Sequence, residues 1–448
     1  MASTSSSEHR PRRRSRLTRR KATTETGTAT EPATGRPRRL TRARPPASGA
    51  LVWAAGGACL LLLAAALSCA WPGDSLLTPD HADGITRWSW LFLGFLSAAF
   101  LAYLAALLLI RSGAPALIPV IAVAAAVQVA PLASPLLLST DAYTYWDYGR
   151  IGAVHGGNPY SDEPSAFPDD PAYPRMGADW RDTTTVYGPA FTLASEGHAA
   201  AVGDSPGAAA WAYKALGALA MLALTALAAF LGRERAFAAA FVGWNPLLAV
   251  HFAGGGHNDA WMMALVLGAL ALGAVGKRHW AGAAWVGAIA IKWVAVVFLP
   301  LRALEARAQG RDVGHLGFAA AAVAVAALAS WRYGTRWIEA FGPLAKNLRE
   351  GAHYSLPSRL SSLGIPHDVA VGLFIALFVL GYLWLLRQAW NGRARLALCA
   401  DLVLLTTPWL IAWYVVWAVP LAAVEEDRAA RLVALGLCAY LLANAVPL

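Results

Sequence analysis

The sequence predicts an all-α, polytopic membrane protein, and three observations predict it. The 448-residue chain is 57% hydrophobic and only 14% charged, against roughly 45–50% apolar and about 25% charged residues in an average soluble chain. Apolar stretches of about 20 residues recur along it, and about 20 residues rising 1.5 Å each cross a hydrocarbon core near 30 Å. The net charge of +10 is gathered at one end. A soluble enzyme, a disordered chain and a disulfide scaffold are all excluded.

The first element is a basic tail, residues 1–47, with 13 Lys/Arg against three Glu. Residues 48–448 balance at 24 against 24. The excess sits in an Arg/Ser/Thr/Pro run without interleaved aromatics. That composition reads as a disordered cytoplasmic tail that fixes orientation and touches anionic lipid, not as a nucleic-acid binder. No small-residue cleavage site follows an h-region of suitable length, so it is a poor signal peptide.

The membrane domain, 48–448, follows. Candidate spans lie at roughly 51–70, 89–110, 114–138, 208–231, 236–252, 260–275, 313–331, 368–387 and 430–447. Each must be a helix, because backbone groups in lipid have to be bonded internally. Arg111, then Arg233 and Arg235, then Lys277 and Arg278 mark successive inner loops. Segments 139–207, 253–259 and 332–367 therefore face outward, and the N-terminus lies in the cytoplasm. Segment 280–301 has basic flanks on both sides and Lys292 near its middle. It reads as a re-entrant hairpin with Lys292 at the turn, since charge at membrane depth needs protein or a wet cavity around it; a single span is the alternative. Segment 396–424, broken at Pro408, raises the same ambiguity. Cys59, Cys69, Cys399 and Cys438 fall in apolar segments without zinc spacing and read as small core or lipid-facing residues.

Three places hold chemistry. The long first outer loop opens Ser139-Thr140-Asp141-Ala142-Tyr143-Thr144-Tyr145-Trp146-Asp147-Tyr148. Asp141 would sit at the outer membrane surface. On a continuing helix it shares a face with Tyr145, Tyr148 and Gly152, while Asp147 lies roughly 240° away at 100° per residue. Tyr143, Tyr145, Trp146 and Tyr148 suit a helix lying in the headgroup layer. His155-Gly156-Gly157-Asn158-Pro159-Tyr160 follows, and later Trp180-Arg181-Asp182-Thr183 and Tyr187-Gly188-Pro189. The loop reads either as an interfacial helix with a solvated meander, or as a site where Asp141 is a general base and Trp and Tyr stack on a sugar.

The second place is Gly254-Gly255-Gly256-His257-Asn258-Asp259-Ala260, the outer turn before a helix starting near Asp259. Its donors and acceptors lie at a helix N-terminus, which favours a carboxylate cap or a bound anion. A plain helix cap is the alternative; His257 with Asp259 is weak evidence for a metal. The third is loop 332–367, which is basic on the outer side with Arg332, Arg336, Lys346, Arg349, His353, Tyr354 and Arg359. It reads as a site for a lipid phosphate or as headgroup contact.

The membrane-edge Asp141, the Gly-Asn-Pro-Tyr turn, Trp-Arg-Asp-Thr with Tyr187-Gly188-Pro189, and Asn245-Pro246 followed by Gly-Gly-His-Asn-Asp-Ala together resemble one family. It is the actinobacterial polyprenol-phosphomannose-dependent α-1,6-mannosyltransferases, of the GT-C glycosyltransferase superfamily, and the likeness runs from about residue 50 to 445. Lys292 in its hairpin and Pro408-Trp409…Trp413-Tyr414 also look like that superfamily. The resemblance implies a GT-C-like fold of roughly 10–13 membrane helices with a large first outer loop and the active site on the outer face. It implies a polyprenyl phosphate donor carrying β-linked mannose, a glycan or glycolipid acceptor, and an α-mannoside product made with inversion. Single displacement needs one base, and the resemblance places it at Asp141. The leaving phosphate needs cations; Arg181, His257, Lys292, Arg349 and Arg359 are candidates. Tyr145, Tyr148, Trp180, Asp182, Tyr187, Asn258, Asp259 and His353 complete the expected substrate-binding set. No Asp-X-Asp pair stands in the first outer loop, so no metal and no cofactor is expected. A transporter or flippase of lipid-linked sugars is the alternative, and it would call for charged, broken helices at the midplane with repeat symmetry.

Overall fold

The structure, a computed structural model, describes residues 49–79, 85–113 and 115–443. The basic tail of residues 1–47 and the end of the last candidate span lie outside the described residues. Helices carry the fold, with no strand among the described residues. In chain order they are α1 Gly49–Ser68, α2 Arg87–Gly113, α3 Leu117–Val129, α4 Asp141–Ala153, α5 Pro189–Val202, α6 Pro206–Leu231, α7 Arg235–Gly243, α8 Pro246–Ala249, α9 Asp259–Ala274, α10 Arg278–Ile291, α11 Leu299–Ala308, α12 His315–Tyr333, α13 Phe341–Glu350, α14 Leu356–Ser362, α15 His367–Trp390, α16 Leu396–Thr406, α17 Val419–Val424 and α18 Arg428–Leu441. By length and hydropathy α1, α2, α6, α12 and α15 can each cross a membrane, and α7 with the segment Pro246–Gly254, bent by 49°, can form a sixth span. This is a multi-pass membrane protein.

The bend in that sixth span follows from Asn245-Pro246. Proline cannot donate to the preceding turn and clashes with it. Asn245 restarts the helix by accepting from the backbone N–H of Leu247 and Leu248 at 3.1 and 3.3 Å. The break frees carbonyls in an apolar core, where each needs a partner. Gln128 on α3 donates to the carbonyls of Gly243 and Asn245 at 3.1 and 3.4 Å. Tyr103 on α2 donates to the Phe241 carbonyl at 2.7 Å. One short apolar span is thereby tied to two neighbours by side chains rather than by packing alone. Beyond α8 the chain widens into a π-helical turn, Val250–Gly254, a geometry that recurs at functional sites.

Two hairpins shape the centre. The first is α10, a 3₁₀ stretch Trp293–Phe298, and α11. Its open end is closed by Arg278 and Asp312, 3.2 Å apart, so the chain enters and leaves on one side and turns at Lys292. The second is α16, a 3₁₀ stretch Ala412–Trp417, and α17. Glu425 closes it by accepting from the backbone N–H of Leu396 and Ala397 at 2.8 and 3.2 Å. Its apex is the extended stretch after Thr406, where Pro408 cannot continue a helix.

The structure departs from the sequence reading at three points in this frame. The third span ends at Val129, followed by a 3₁₀ turn Ala130–Ala133, rather than reaching 138; Pro131 and Pro135 stop it. The first outer loop contains a second helix, α5. The aromatic run on α4 does not lie in a headgroup layer. Tyr143, Tyr145, Trp146 and Tyr148 are 6%, 1%, 0% and 2% exposed, because α5 and the meander 154–187 cover the helix. Gly149 allows that approach: a Cβ there would come within 2.2 Å of the Ser195 carbonyl oxygen on α5. The four cysteines are free and buried.

Candidate active site

Asp141 is the first residue of α4. The segment leading to it is pinned from two sides. Leu137 donates its N–H to the Gly254 carbonyl at 3.1 Å, and Leu138 donates to the Leu77 carbonyl at 2.9 Å. Leu138 has φ of 63°, a left-handed conformation that costs a residue with a Cβ about 1–2 kcal/mol. That turn leads the chain into α4 at Asp141.

The carboxylate is held by two donors. Tyr145, one helical turn on, donates from its hydroxyl to Oδ2 at 3.0 Å. His257 Nδ1 lies 3.2 Å from the same oxygen. A carboxylate only accepts, so Nδ1 carries the proton. The imidazole ring stacks on Trp413, 3.7 Å between centroids and 14° from parallel, which fixes its orientation. Burial alone would raise the Asp141 carboxyl, but the hydrogen bonds from His257 and Tyr145 and the charge of Lys292 outweigh it and hold the group below its ordinary value. The start of α4 adds to this, since a helix N-terminus favours negative charge.

A second carboxylate stands beside the first. Asp259 opens α9 and is fully buried. It accepts from Lys292 Nζ at 2.8 and 2.9 Å through its two oxygens, and from Trp417 Nε1 at 2.7 Å. Lys292 follows the last residue of α10, where a helix C-terminus favours a cation. Its ammonium also lies 4.7 Å from the centre of the Tyr414 ring. The alternative reading of Asn258 as a plain helix cap does not hold: it occupies the capping position without a side-chain bond, and its buried amide nitrogen and oxygen have no partner. Gly256 makes the turn tight, at φ of 74°.

Asp141 and Lys292 both line a cavity of about 520 Å³. Its walls are chiefly apolar and aromatic: Trp180 and Tyr187 from the first outer loop, Phe341 and Leu344 from α13, and Trp409, Trp413, Tyr414 and Trp417 from the second hairpin. The Tyr187-Gly188-Pro189 motif docks the loop on the Lys292 apex. Gly188 donates to the Ile291 carbonyl at 3.2 Å, and a Cβ at Gly188 would meet the Ala290 carbonyl oxygen at 2.2 Å. Such a chamber suits an amphiphile whose polar end reaches one carboxylate and one ammonium.

Of the residues singled out in the sequence, Asp141, Tyr145, His257, Asn258, Asp259, Lys292, Tyr187 and Trp180 gather at or around this chamber. The others do not line it. Tyr148 is buried and donates to the Thr183 carbonyl at 2.7 Å. Arg181 lies over the Tyr173 ring at 4.8 Å, and Asp182 is exposed. Arg349 donates to the Ala345 carbonyl of its own helix at 3.2 Å. His353 packs edge-on against Tyr354, and Arg359 sits over Tyr354 and reaches Tyr440 at 3.4 Å. The lining of this region by α13 comes from apolar positions, not from the basic ones. The role of Trp417 was not seen in the sequence, although Trp409, Trp413 and Trp417 recur every fourth residue. No group of three or more His, Cys, Asp or Glu placed to hold a metal ion occurs among the described residues.

Comparisons with known proteins bear on the same segment. A family model described as alpha-(1->6)-mannopyranosyltransferase, N-terminal domain, matches residues 48–307, a stretch holding Asp141, His257, Asp259 and Lys292. The chain is 29% identical over 239 residues to alpha-(1->6)-mannopyranosyltransferase A of Corynebacterium glutamicum, covering 47% of this chain and 48% of that protein. It is 32% identical over 211 residues to the protein of the same name from Mycobacterium tuberculosis, covering 43% and 40%. The matched part of the chain thus spans less than half the length of either relative. No solved structure matches.

Proposed function

Since the chain belongs to the alpha-(1->6)-mannopyranosyltransferase family, we propose that it is a membrane glycosyltransferase that moves mannose from a polyprenyl phosphomannose donor to a mannan-type acceptor, forming an α-1,6 linkage on the outer face of the membrane. One observation carries this reading. Asp141, kept ionised by His257 and Tyr145, lies in the wall of an aromatic chamber whose other charged group is the Lys292 ammonium.

In this mechanism the acceptor hydroxyl gives its proton to Asp141 as its oxygen bonds to the anomeric carbon. The bond from that carbon to the donor phosphate breaks, and the polyprenyl phosphate leaves with the electron pair. The leaving group is already an anion, so no acid is required. Lys292 supplies positive charge at the chamber wall, where low dielectric makes it count for more than in water. Asp259 and Trp417 position that ammonium. The aromatic walls suit both a sugar face and the start of a polyprenyl chain. The N-terminus is cytoplasmic, by the basic flanks Arg111, Arg233 and Lys277, and the chamber opens on the other side.

The test uses the full chain, purified in detergent, with polyprenyl phosphomannose and a short α-1,6-mannan acceptor. The native chain elongates the acceptor. Asp141→Asn binds donor normally and loses turnover by about 10²–10⁴-fold, the usual worth of a general base. Near-native turnover in that variant would remove Asp141 from the chemistry. Movement of the lipid-linked sugar between leaflets without elongation would favour the transport reading instead.

A further inference from the structure

A second cavity, of about 920 Å³, lies at the far ends of α2, α6 and α18 from Asp141. Its position follows from helix length. The α1–α2 connection meets the Asp141 segment through Leu77, and α2 then runs 27 residues to Arg111 and Gly113, about 40 Å at 1.5 Å per residue. Near its start, α6 places Lys214 against the Ser134 and Pro135 carbonyls, and 26 residues of helix end just before Arg233. The cavity therefore belongs to the membrane face opposite the chamber, and it plays no part in the proposed transfer.

Its chemistry is one-sided. Arg111, Arg233, Arg428 and Arg431 line it, against two carboxylates, Glu234 and Glu426. Arg233 pairs with Glu426 at 3.4 Å; among the described residues the other three arginines carry no ion pair. Arg111 and Arg431 both lie over the Phe237 ring, at 5.5 and 4.9 Å from its centre. Two like charges gathered on one ring call for an anion. The rest of the wall is Phe241 and leucines, and two of these face outward: Leu108 on α2 is 69% exposed and Leu432 on α18 is 60% exposed. A soluble anion would use the arginines and leave this leucine wall unoccupied.

We propose that the cavity is a binding site for one acidic phospholipid of the leaflet opposite the chamber. The headgroup phosphate meets the Arg111 fork as a charge-assisted acceptor, beside the charge of Arg431, whose Nε and Nη2 donate to the Ala422 and Ala423 carbonyls at 2.9 and 3.2 Å, and the acyl chain lies along Leu104, Leu108 and Leu432. The occupant rests on charge complementarity plus an apolar wall open to the bilayer, independently of the transferase reading.

The test is lipid retention by the full chain in neutral detergent, read by native mass spectrometry, with phosphatidylglycerol, phosphatidylcholine and inorganic phosphate as probes. Phosphatidylglycerol is retained about tenfold more tightly than phosphatidylcholine, and Arg111→Gln loses about that factor. Arg111→Lys loses less, because it keeps charge but not the planar fork. Arg233→Gln, at an exposed position that threatens no packing, weakens retention in the same direction. Equal retention of the two lipids, or full retention in both glutamine variants, overturns the site. Displacement of phosphatidylglycerol by inorganic phosphate at matched concentration overturns the lipid and leaves a soluble phosphate as the ligand.

Discussion

The start and the middle of α4 treat their carboxylates in opposite ways. At the start, Asp141 keeps 17% of its side chain open to the chamber and accepts from a tyrosine and a histidine. Six residues on, Asp147 is buried with one oxygen unpartnered. Its pKa is raised to about 7, by burial first and then by the charge of Asp170, with Arg150 and Arg181 opposing. The nearest cation is already committed. Arg150 Nε reaches both Asp170 oxygens at 2.8 and 2.9 Å, and its Nη1 reaches Asp204 at 2.7 Å. One helix therefore carries a carboxylate held below its ordinary pKa at its mouth and one held above it in its body. Composition does not separate them; the partners left over do.

That contrast can be broken by substitution, and the largest effect belongs to Asp141→Asn, whose loss of turnover is given above. The same change at Asp147 must spare turnover, since that carboxyl touches neither the chamber nor its donors. A matching loss in Asp147→Asn would erase the distinction. Next in size is Arg150→Met. Arg150 and Asp170 are 4% and 3% exposed, and removing one member of a buried pair costs about 3–5 kcal/mol. Chemical denaturation should register this as lost stability, with turnover per folded molecule retained. Unchanged stability would mean that His155, 2.6 Å from Asp170, suffices alone.

Tyr145→Phe removes one hydrogen bond to Asp141, about 0.5–1.5 kcal/mol. Turnover falls by up to about tenfold, and the acid limb of the pH profile moves upward because one group holding the carboxylate ionised is gone. An unmoved acid limb would remove Tyr145 from the tuning. The smallest effect is on stability in Asp147→Asn. Its folded pKa is raised, so the native chain has its full contribution below about pH 4 and loses it as pH rises through about 7. The asparagine variant avoids that loss. It gains relative stability above pH 7, on the order of 1 kcal/mol, as a single-site change does. Parallel stability curves across that range would contradict the raised pKa.

Much of the frame was legible because it is local. Leucine- and alanine-rich runs of span length become helices wherever they lie, and Asn245-Pro246 and Pro408 announce their breaks in two residues. The Gly-Gly-His-Asn-Asp turn could be placed at the start of α9, whereas Asp141, expected directly after the third span, opens a separate helix twelve residues beyond its end. Burial of the α4 aromatics could not be read, because a tyrosine-rich helix has the same composition in a headgroup layer as under a loop. The basic positions of 332–367 misled for a similar reason: α13 turns its apolar residues, not its charges, to the chamber.

The sequence by itself determined the helices, the sites of their breaks and the carboxylate from which the chemistry is argued, since each depends on neighbours within a few turns. Tertiary structure alone decided what meets that carboxylate. Asp141 and His257 are 116 residues apart, and Asp259 and Trp417 are 158 apart. Two hairpins closed at one membrane face bring Lys292 and the 3₁₀ stretch holding Trp413 and Trp417 together at depth. Such meetings are fixed by the mutual satisfaction of buried polar groups across the fold, which no local periodicity records.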